Sequence, residues 1–524
     1  MIDGEMQAFG LTLDKFLDHA AKWHPHADVV SAGDGGRTTR TGYAVLRERS
    51  LKVSGVLARL GVRAGDRVAT LAWNSQAHME AWYAIMGMGA VCHTLNPRLT
   101  ETQLAAMLVQ SEARIVIASS DLAALARRIA DRTRSLERVL VVDRPYGAED
   151  GADDLEPMIT GDVETGVWGN FEETAPCGLC FTSGTTGAPK GVTYTHRSSV
   201  LHTLRQLQAD VMGVSGTDTV LTAVPMFHAN AWGLPFAAPA VGARLVLPGR
   251  DLDGASLARL INAERVTLAV GVATVWLGLV EHLEAVGGET PTLKRVIVGG
   301  APMAPALMER IEQRLGASVQ ISWGMTELSP LGTCARPHDP ARSAHLCGPP
   351  AFGVDLLLTD VDGRALPDQR GGEGHLRVRG PSVVQRYFGQ SSSATDEEGW
   401  FPTGDLARID PGGSLVITGR AKDLIKSGGE WINPAEIEAV VNEHPSVSLA
   451  AVIGRQDAKW GERPVLVIQT REAGDATDED ILAPLRGRVA PWWIPDEVIR
   501  LEQMPLAPTG KIDKMRLRID YGDC

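Results

Sequence analysis

The chain has 524 residues, too many for a single hydrophobic core, so two or more domains are expected. A composition of 44% hydrophobic and 22% charged residues is that of an ordinary globular protein, and a formal charge of −13 argues against general affinity for nucleic acid or an anionic membrane. Six cysteines in so long a chain make no disulfide scaffold and fit a reducing compartment.

From the N-terminus, Met1-Ile2-Asp3-Gly4-Glu5 lacks the basic-then-apolar pattern of a secretory leader, and a cytoplasmic protein is expected. Strand-like and helix-like segments then alternate. Residues 67–73 read as a buried strand, 76–88 as a helix, 90–94 as a strand, 101–111 as a helix and 114–118 as a strand. The alternation returns in a strand at 244–247, a helix near 257–263 and a strand at 295–298. Parallel strands need crossover connections, so this pattern predicts α/β architecture with at least two parallel, helix-covered sheets. Residues 147–169, rich in Asp, Glu and Gly, read as an exposed connection. Residues 219–243 carry no formal charge, but Pro225, Pro235, Pro239, His228 and Asn230 suit a buried segment beside a substrate better than a membrane span.

After about Phe352 the texture changes to short strands separated by Gly, Pro and Asp, at 355–359, 374–379 and 414–417. They predict a small antiparallel, barrel-like subdomain. The last hundred or so residues are mixed α+β, with helices expected at 434–442 and near 478–489.

Six segments carry chemistry. Thr182-Ser183-Gly184-Thr185-Thr186-Gly187-Ala188-Pro189-Lys190-Gly191 packs three glycines, four hydroxyls and a lysine just after an apolar run. Glycines let backbone N–H groups turn inward on phosphate oxygens, although Gly191 stands where a Walker loop has its metal-binding hydroxyl. Cys177 and Cys180 precede it with metal-site spacing but have no second ligand pair, and a buried strand is the better reading. Gly299-Gly300-Ala301-Pro302 ends a strand, where backbone can approach a ligand closely. Ser322-Trp323-Gly324-Met325-Thr326-Glu327 places an aromatic ring, a hydroxyl and a carboxylate in six residues; alone it could also be a helix entrance capped by Thr326 and Glu327. Thr403-Gly404-Asp405 is too short to be specific. Residues 419–431, with Arg420, Lys422, Lys426, Gly428, Gly429, Glu430 and Trp431, combine charges with a Gly-Gly turn and a tryptophan. Finally, Thr509-Gly510-Lys511 sits near the C-terminus, where a lysine on a glycine turn is normally an exposed solubilising charge.

In this order, these segments resemble the AMP-forming acyl-CoA synthetase family, the adenylating enzymes that include peptide-synthetase adenylation domains and beetle luciferases. The resemblance spans essentially the whole chain. It implies an N-terminal adenylate-forming domain at 1–418, made of two α/β subdomains and the small β subdomain, then a hinge at 419–423 pivoting on Lys422. A mobile C-terminal domain at 424–524 follows. ATP, Mg²⁺ and coenzyme A are the implied co-substrates and metal. Thr182, Ser183, Gly184, Thr185, Thr186, Gly187 and Lys190 would hold ATP phosphates, and Gly300, Ala301, Pro302, Ser322, Gly324, Met325 and Ile417 would line the nucleotide site. Trp323, where many relatives have tyrosine, would stack on adenine; the flat face is retained and the phenolic hydroxyl lost. Thr326 would contact the α-phosphate, Glu327 would help hold Mg²⁺, and Asp405 and Arg420 would hold the ribose. Lys511 would bridge the substrate carboxylate and the α-phosphate. Rotation about Lys422 would then exchange it for Lys426, Gly428, Gly429, Glu430 and Trp431, which line the thiol tunnel.

The acyl pocket implied by the resemblance includes His228 as a gate, with Trp232, Val272, Trp276, Gly300 and Met325. Amino-acid-activating relatives usually place an aspartate just after this aromatic segment; here Ala229 and Asn230 stand instead, which argues for an uncharged acid. Nearest in the Trp-Gly-Met-Thr-Glu and Gly-Gly-Glu-Trp-Ile strings are ligases for medium-chain fatty acids and for 3-methylmercaptopropionate. Those acids and an arylalkanoate all stay open, as do a carrier-protein acceptor and a nucleotide binder without catalysis. Many relatives are dimers, which leaves a homodimer open.

Overall fold

The computed structural model describes residues 4–145, 151–182, 189–337, 339–471, 476–507 and 510–522. Two largely parallel sheets form the bulk of the molecule. One has eight strands in the order Leu331–Cys334, Ser318–Gly324, Arg295–Gly299, Leu268–Gly271, Thr219–Thr222, Arg244–Leu247, Asp28–Ala32 and Thr38–Gly42. Its first and last strands alone run antiparallel to their neighbours. The other has six, in the order Arg138–Val142, Ile115–Ser119, Arg67–Leu71, Val91–Thr94, Pro176–Phe181 and Gly191–Thr195, with only the last antiparallel. Their central strands are buried on both faces, which is why they read as continuous apolar runs rather than alternating ones.

The helices between them follow local rules. Glu101–Ser111 starts at a capping box in which Thr100 and Gln103 bond each other's backbone N–H. Of the connection expected at 147–169, residues 147–150 lie outside the described residues; the rest is less open than expected, because Leu155 and Ile159 of the short helix Leu155–Ile159 are buried. The uncharged stretch 219–243 is a strand, a tight turn and the helix Leu234–Val241; among the described residues no helix is long and apolar enough to cross a membrane.

Beyond Phe352, Asp355–Thr359, Glu373–Arg379, Phe401–Ile409 and Leu415–Arg420 form a four-stranded antiparallel sheet. The C-terminal part holds a separate five-stranded sheet built on the long hairpin Val447–Asp457 and Gly461–Thr470, with its own apolar core around Ile437, Val452 and Leu466. The helix expected at 478–489 stops after Asp478–Leu482 and tightens into the 3₁₀ turn Ala483–Leu485. Pro484 is the reason, since it supplies no N–H to an α-helical ladder.

Candidate active site

The neck of the glycine-rich loop is closed by the Thr182 N–H, which donates to the Lys190 carbonyl at 2.9 Å. Ser183, Gly184, Thr185, Thr186 and Gly187 lie outside the described residues. Lys190 leaves the loop with its Nζ 4.9 Å from the centre of the Tyr387 ring. The Tyr387 hydroxyl donates to Glu327 Oε1 at 2.9 Å, so one aromatic side chain touches both the loop lysine and the carboxylate. The turn carrying Glu327 is fixed from two sides. Tyr194 donates to the Thr326 carbonyl at 2.8 Å, and the Val384 N–H donates to the Glu327 carbonyl at 2.7 Å. Burial pushes the Glu327 carboxyl upward, while the Tyr387 bond and the nearby Arg420 and Lys190 charges pull it back.

Trp323 lies at the end of its strand with its ring against Gly332, where an added Cβ would stand 2.5 Å from the indole. Its Nε1 donates to Asp405 Oδ2 at 2.9 Å, and Arg420 Nε pairs with Asp405 Oδ1 at 2.8 Å. Asp405 itself is 2% exposed. The indole thus supplies a donor that phenylalanine would lack, and it ties the aromatic platform to the aspartate beside it. Ser322 Oγ turns inward to the Val298 carbonyl at 3.1 Å. Gly324, Met325 and Ile417 are half-buried around this point.

Lys511 arrives here from the C-terminal part. Thr274 Oγ1 donates to the Gly510 carbonyl at 3.1 Å. A Cβ added at Gly300, whose φ is +83°, would stand 3.5 Å from Lys511 Cε and 3.5 Å from Val272 Cγ1. Ala301 is half-buried and Pro302 exposed next to it. Burial is the main influence on Lys511 and brings its pKa down to about 8, with Arg420 and Lys422 acting the same way and Asp405 and Glu327 opposing them. Burial, then the Lys511 charge, lowers His228 to about 4, so this imidazole is neutral at pH 7.

The acyl side of the site is built from an unusual turn. Ala229, Asn230, Ala231 and Trp232 all have positive φ, between 43° and 54°, and Gly233 follows at 78°. A left-handed run of non-glycine residues is strained, so neighbours must hold it. Gln206 Nε2 donates to the Trp232 carbonyl, and Cys180 Sγ donates to Asn230 Oδ1 at 3.2 Å. The run turns the Trp232 ring toward Gly299, where a Cβ would lie 3.0 Å from it. Trp276, expected to border the pocket, is fully buried with its ring against Gly271. The five described cysteines are free and buried, and among the described residues no group of three His, Cys, Asp or Glu could hold a metal alone.

The Gly428–Trp431 segment stands apart from this centre. Gly428, Gly429, Glu430 and Trp431 are exposed, Trp431 by 54%, and Lys426 Nζ lies 5.4 Å from the Trp431 ring centre. Lys422 is exposed in the turn Ala421–Asp423, and Asp423 pairs with Arg518 at 2.8 Å. Sequence spacing gave no warning of Tyr387 or Tyr194, which act through tertiary contacts. Gln206 did leave one trace: Ser199, His202 and Gln206 are polar residues at core-facing spacing on one helix.

The AMP-binding enzyme family model matches residues 17–388, and the model of the AMP-binding enzyme C-terminal domain matches residues 436–511. A 3-methylmercaptopropionyl-CoA ligase of Ruegeria lacuscaerulensis is 39% identical over 99% of both chains. A medium-chain-fatty-acid–CoA ligase of Ectopseudomonas oleovorans is 39% identical over 99% of this chain and 98% of that one. Among solved structures, ATP-bound MatB from Rhodopseudomonas palustris superposes with a TM-score of 0.86 at 26% identity, covering 98% of this chain and 99% of that one. MenE from Bacillus subtilis, an o-succinylbenzoate CoA synthetase bound to its acyl-adenylate intermediate, gives 0.80 at 26% identity over 96% and 97%.

Proposed function

The chain belongs to the AMP-binding enzyme family, as an AMP-forming acid–CoA ligase, and we propose that its acid is uncharged with a short or medium apolar tail, such as 3-methylmercaptopropionate or a medium-chain alkanoate. One observation carries the catalytic reading: Lys511 is seated at Gly300, beside the Trp323–Asp405–Arg420 cluster, while the Gly428–Trp431 loop stands outside. That arrangement suits the first half-reaction. The acid carboxylate attacks the α-phosphorus of ATP, the bond to the β-phosphate oxygen breaks, and pyrophosphate leaves. Two anions must meet, and the Lys511 ammonium between them stabilises the charge that builds up. In the second half-reaction a CoA thiolate attacks the acyl carbonyl and AMP departs.

Glu327 fits a Mg²⁺ role because it is a buried hard carboxylate with one oxygen committed to Tyr387, and Mg²⁺ typically takes one or two carboxylates together with substrate phosphates. Bound there, Mg²⁺ would neutralise phosphate charge as pyrophosphate forms. Asn230, whose Oδ1 accepts from Cys180, carries no negative charge to pair with an ammonium group, which supports an uncharged acid. Similarity to the Ruegeria and Ectopseudomonas ligases supports the same substrate range. A panel of methylmercaptopropionate, C4–C10 alkanoates, phenylalkanoates and amino acids, with AMP release followed with and without CoA, tests the reading. Turnover led by an amino acid would sink it.

Replacing Trp323 by Phe keeps a flat ring but removes the donor to Asp405. A hydrogen bond to a charged group is worth about 1.5–3 kcal/mol, so KM for ATP is expected to rise about tenfold or more, with KM for the acid little changed. The pH dependence has a definite sign. Lys511 acts as a cation and loses its proton as pH rises through about 8, so kcat/KM for the acid falls above that pH. Lys511→Arg, which stays charged, is expected to remove this alkaline limb even if overall activity is lower.

A further inference from the structure

Two consecutive residues at the end of one helix reach the two halves of the adenylation site by separate routes. The helix His196–Gln206 follows the strand that leaves the glycine-rich loop, and a capping box of Thr195 and Ser198 fixes its start. Its last two residues, Arg205 and Gln206, are buried. We propose that they are positioning residues with divided tasks: Arg205 holds the Glu327 turn for ATP, and Gln206 holds the Trp232 turn for the acid. The inference rests on the acid–CoA ligase reading and assigns control of its two substrates to neighbouring side chains.

Arg205 spreads one guanidinium over three chain segments. Its Nε donates to the Phe352 carbonyl, its Nη1 to the Leu331 carbonyl and its Nη2 to Ser382 Oγ, each at 3.0 Å. All three acceptors are neutral, and burial lowers its pKa to about 10. Burying a charge beside neutral groups is costly, and only the rigid five-donor fork of arginine serves acceptors spread this way. The route from there to Glu327 is short. Ser382 begins a segment that meets Glu327 twice, through the Val384 N–H on its carbonyl at 2.7 Å and the Tyr387 hydroxyl on Oε1 at 2.9 Å. Ser329, two residues past Glu327, donates back to the Ser382 carbonyl at 2.9 Å. Leu331 opens the strand that follows the same turn. Arg205 thus grips the Glu327 turn from both sides.

Gln206 points elsewhere, because successive side chains on a helix diverge by about 100°. Its Nε2 donates to the Trp232 carbonyl, at the end of the left-handed run at 229–232. Its Oε1 is buried and has no hydrogen-bond partner among the described residues. Gly233 makes room for it, since a Cβ there would stand 2.8 Å from that oxygen. A strained turn and an orphan acceptor at one place are both unfavourable, and such features persist where the geometry they impose is used. The geometry imposed here is the Trp232 ring set against Gly299, where an added Cβ would lie 3.0 Å from it.

The test pairs Arg205→Lys with Gln206→Met, a replacement of similar length that lacks the donor. Calorimetry gives Kd for MgATP, and acid-dependent ATP–pyrophosphate exchange gives kcat/KM for octanoate and for butanoate. Arg205→Lys is expected to weaken MgATP binding about tenfold, well inside the hundredfold that a 1 Å misplacement can cost, with the octanoate-to-butanoate ratio within about twofold of wild type. Gln206→Met is expected to do the reverse. Its Kd for MgATP stays within about twofold, and the ratio rises about fivefold or more as the released Trp232 ring makes room for the longer tail. Ser382→Ala and Gln206→Leu stand in for a variant that does not fold. A parallel change of MgATP affinity and acid ratio in both variants is what a merely structural role predicts, and it would overturn the inference, as would no change in either. No acid-dependent exchange in the wild-type chain is a different result, and it would overturn the ligase reading together with this inference.

Discussion

Lys511→Ala is expected to cut acid-dependent ATP–pyrophosphate exchange by about 10²–10³-fold, the range seen when one preorganised transition-state donor is removed, while thioester formation from added acyl-AMP and CoA continues. The split follows from where Lys511 sits. Its side chain is held at Gly300 by the Thr274 bond to the neighbouring Gly510 carbonyl, against the place where carboxylate and α-phosphate must meet. Once the acyl-AMP exists, that charge has no further task. Loss of stability is not a rival explanation. Burial lowers the Lys511 pKa, so its charge is unfavourable in the folded protein without substrate. Alanine therefore should not lower the melting temperature, and a variant that lost exchange together with stability would count against the assignment.

The parts of this arrangement visible in the sequence are those with a local cause. The βα alternation is written as apolar runs of strand length between helical patterns, and the helix Glu101–Ser111 announces itself through Thr100 and Gln103. Gly300 could be read as a close-approach position because it ends a strand, and its φ of +83° shows why a glycine is needed. What stayed hidden depends on distant parts of the chain. Four non-glycine residues in a left-handed turn, Ala229 to Trp232, contradict local preference and persist because Gln206 and Cys180 hold them. The Tyr387 bond to Glu327 spans 60 residues, and the indole bond from Trp323 to Asp405 spans 82. The docking of Lys511 at Gly300 is a tertiary contact between the C-terminal part and the larger sheets, and no local residue pattern encodes it.

Gly429→Leu is expected to do the opposite of Lys511→Ala: acid-dependent exchange persists, and CoA-dependent AMP release falls by about a hundredfold, the effect of roughly 2.7 kcal/mol on the barrier. In the present arrangement nothing lies within 4 Å of a Cβ built at Gly429, and its φ of +93° strains any side chain only locally, in an exposed hairpin. The Lys511 site is elsewhere, so adenylation has no reason to suffer. If the C-terminal part rotates about Lys422, this loop replaces Lys511 at the acyl-AMP, and a leucine there fills the space the thiol arm must cross. Lys511 and Gly429 belong to the same C-terminal part and cannot both occupy one site, so the two variants should fail at different steps. Accumulation of acyl-AMP by Gly429→Leu, read by quenching and mass analysis of the adenylate, is the decisive observation. Equal loss of both half-reactions would mean that the loop only supports the fold. Equal retention of both would mean that thiol transfer happens without the loop, in the arrangement the structure already shows.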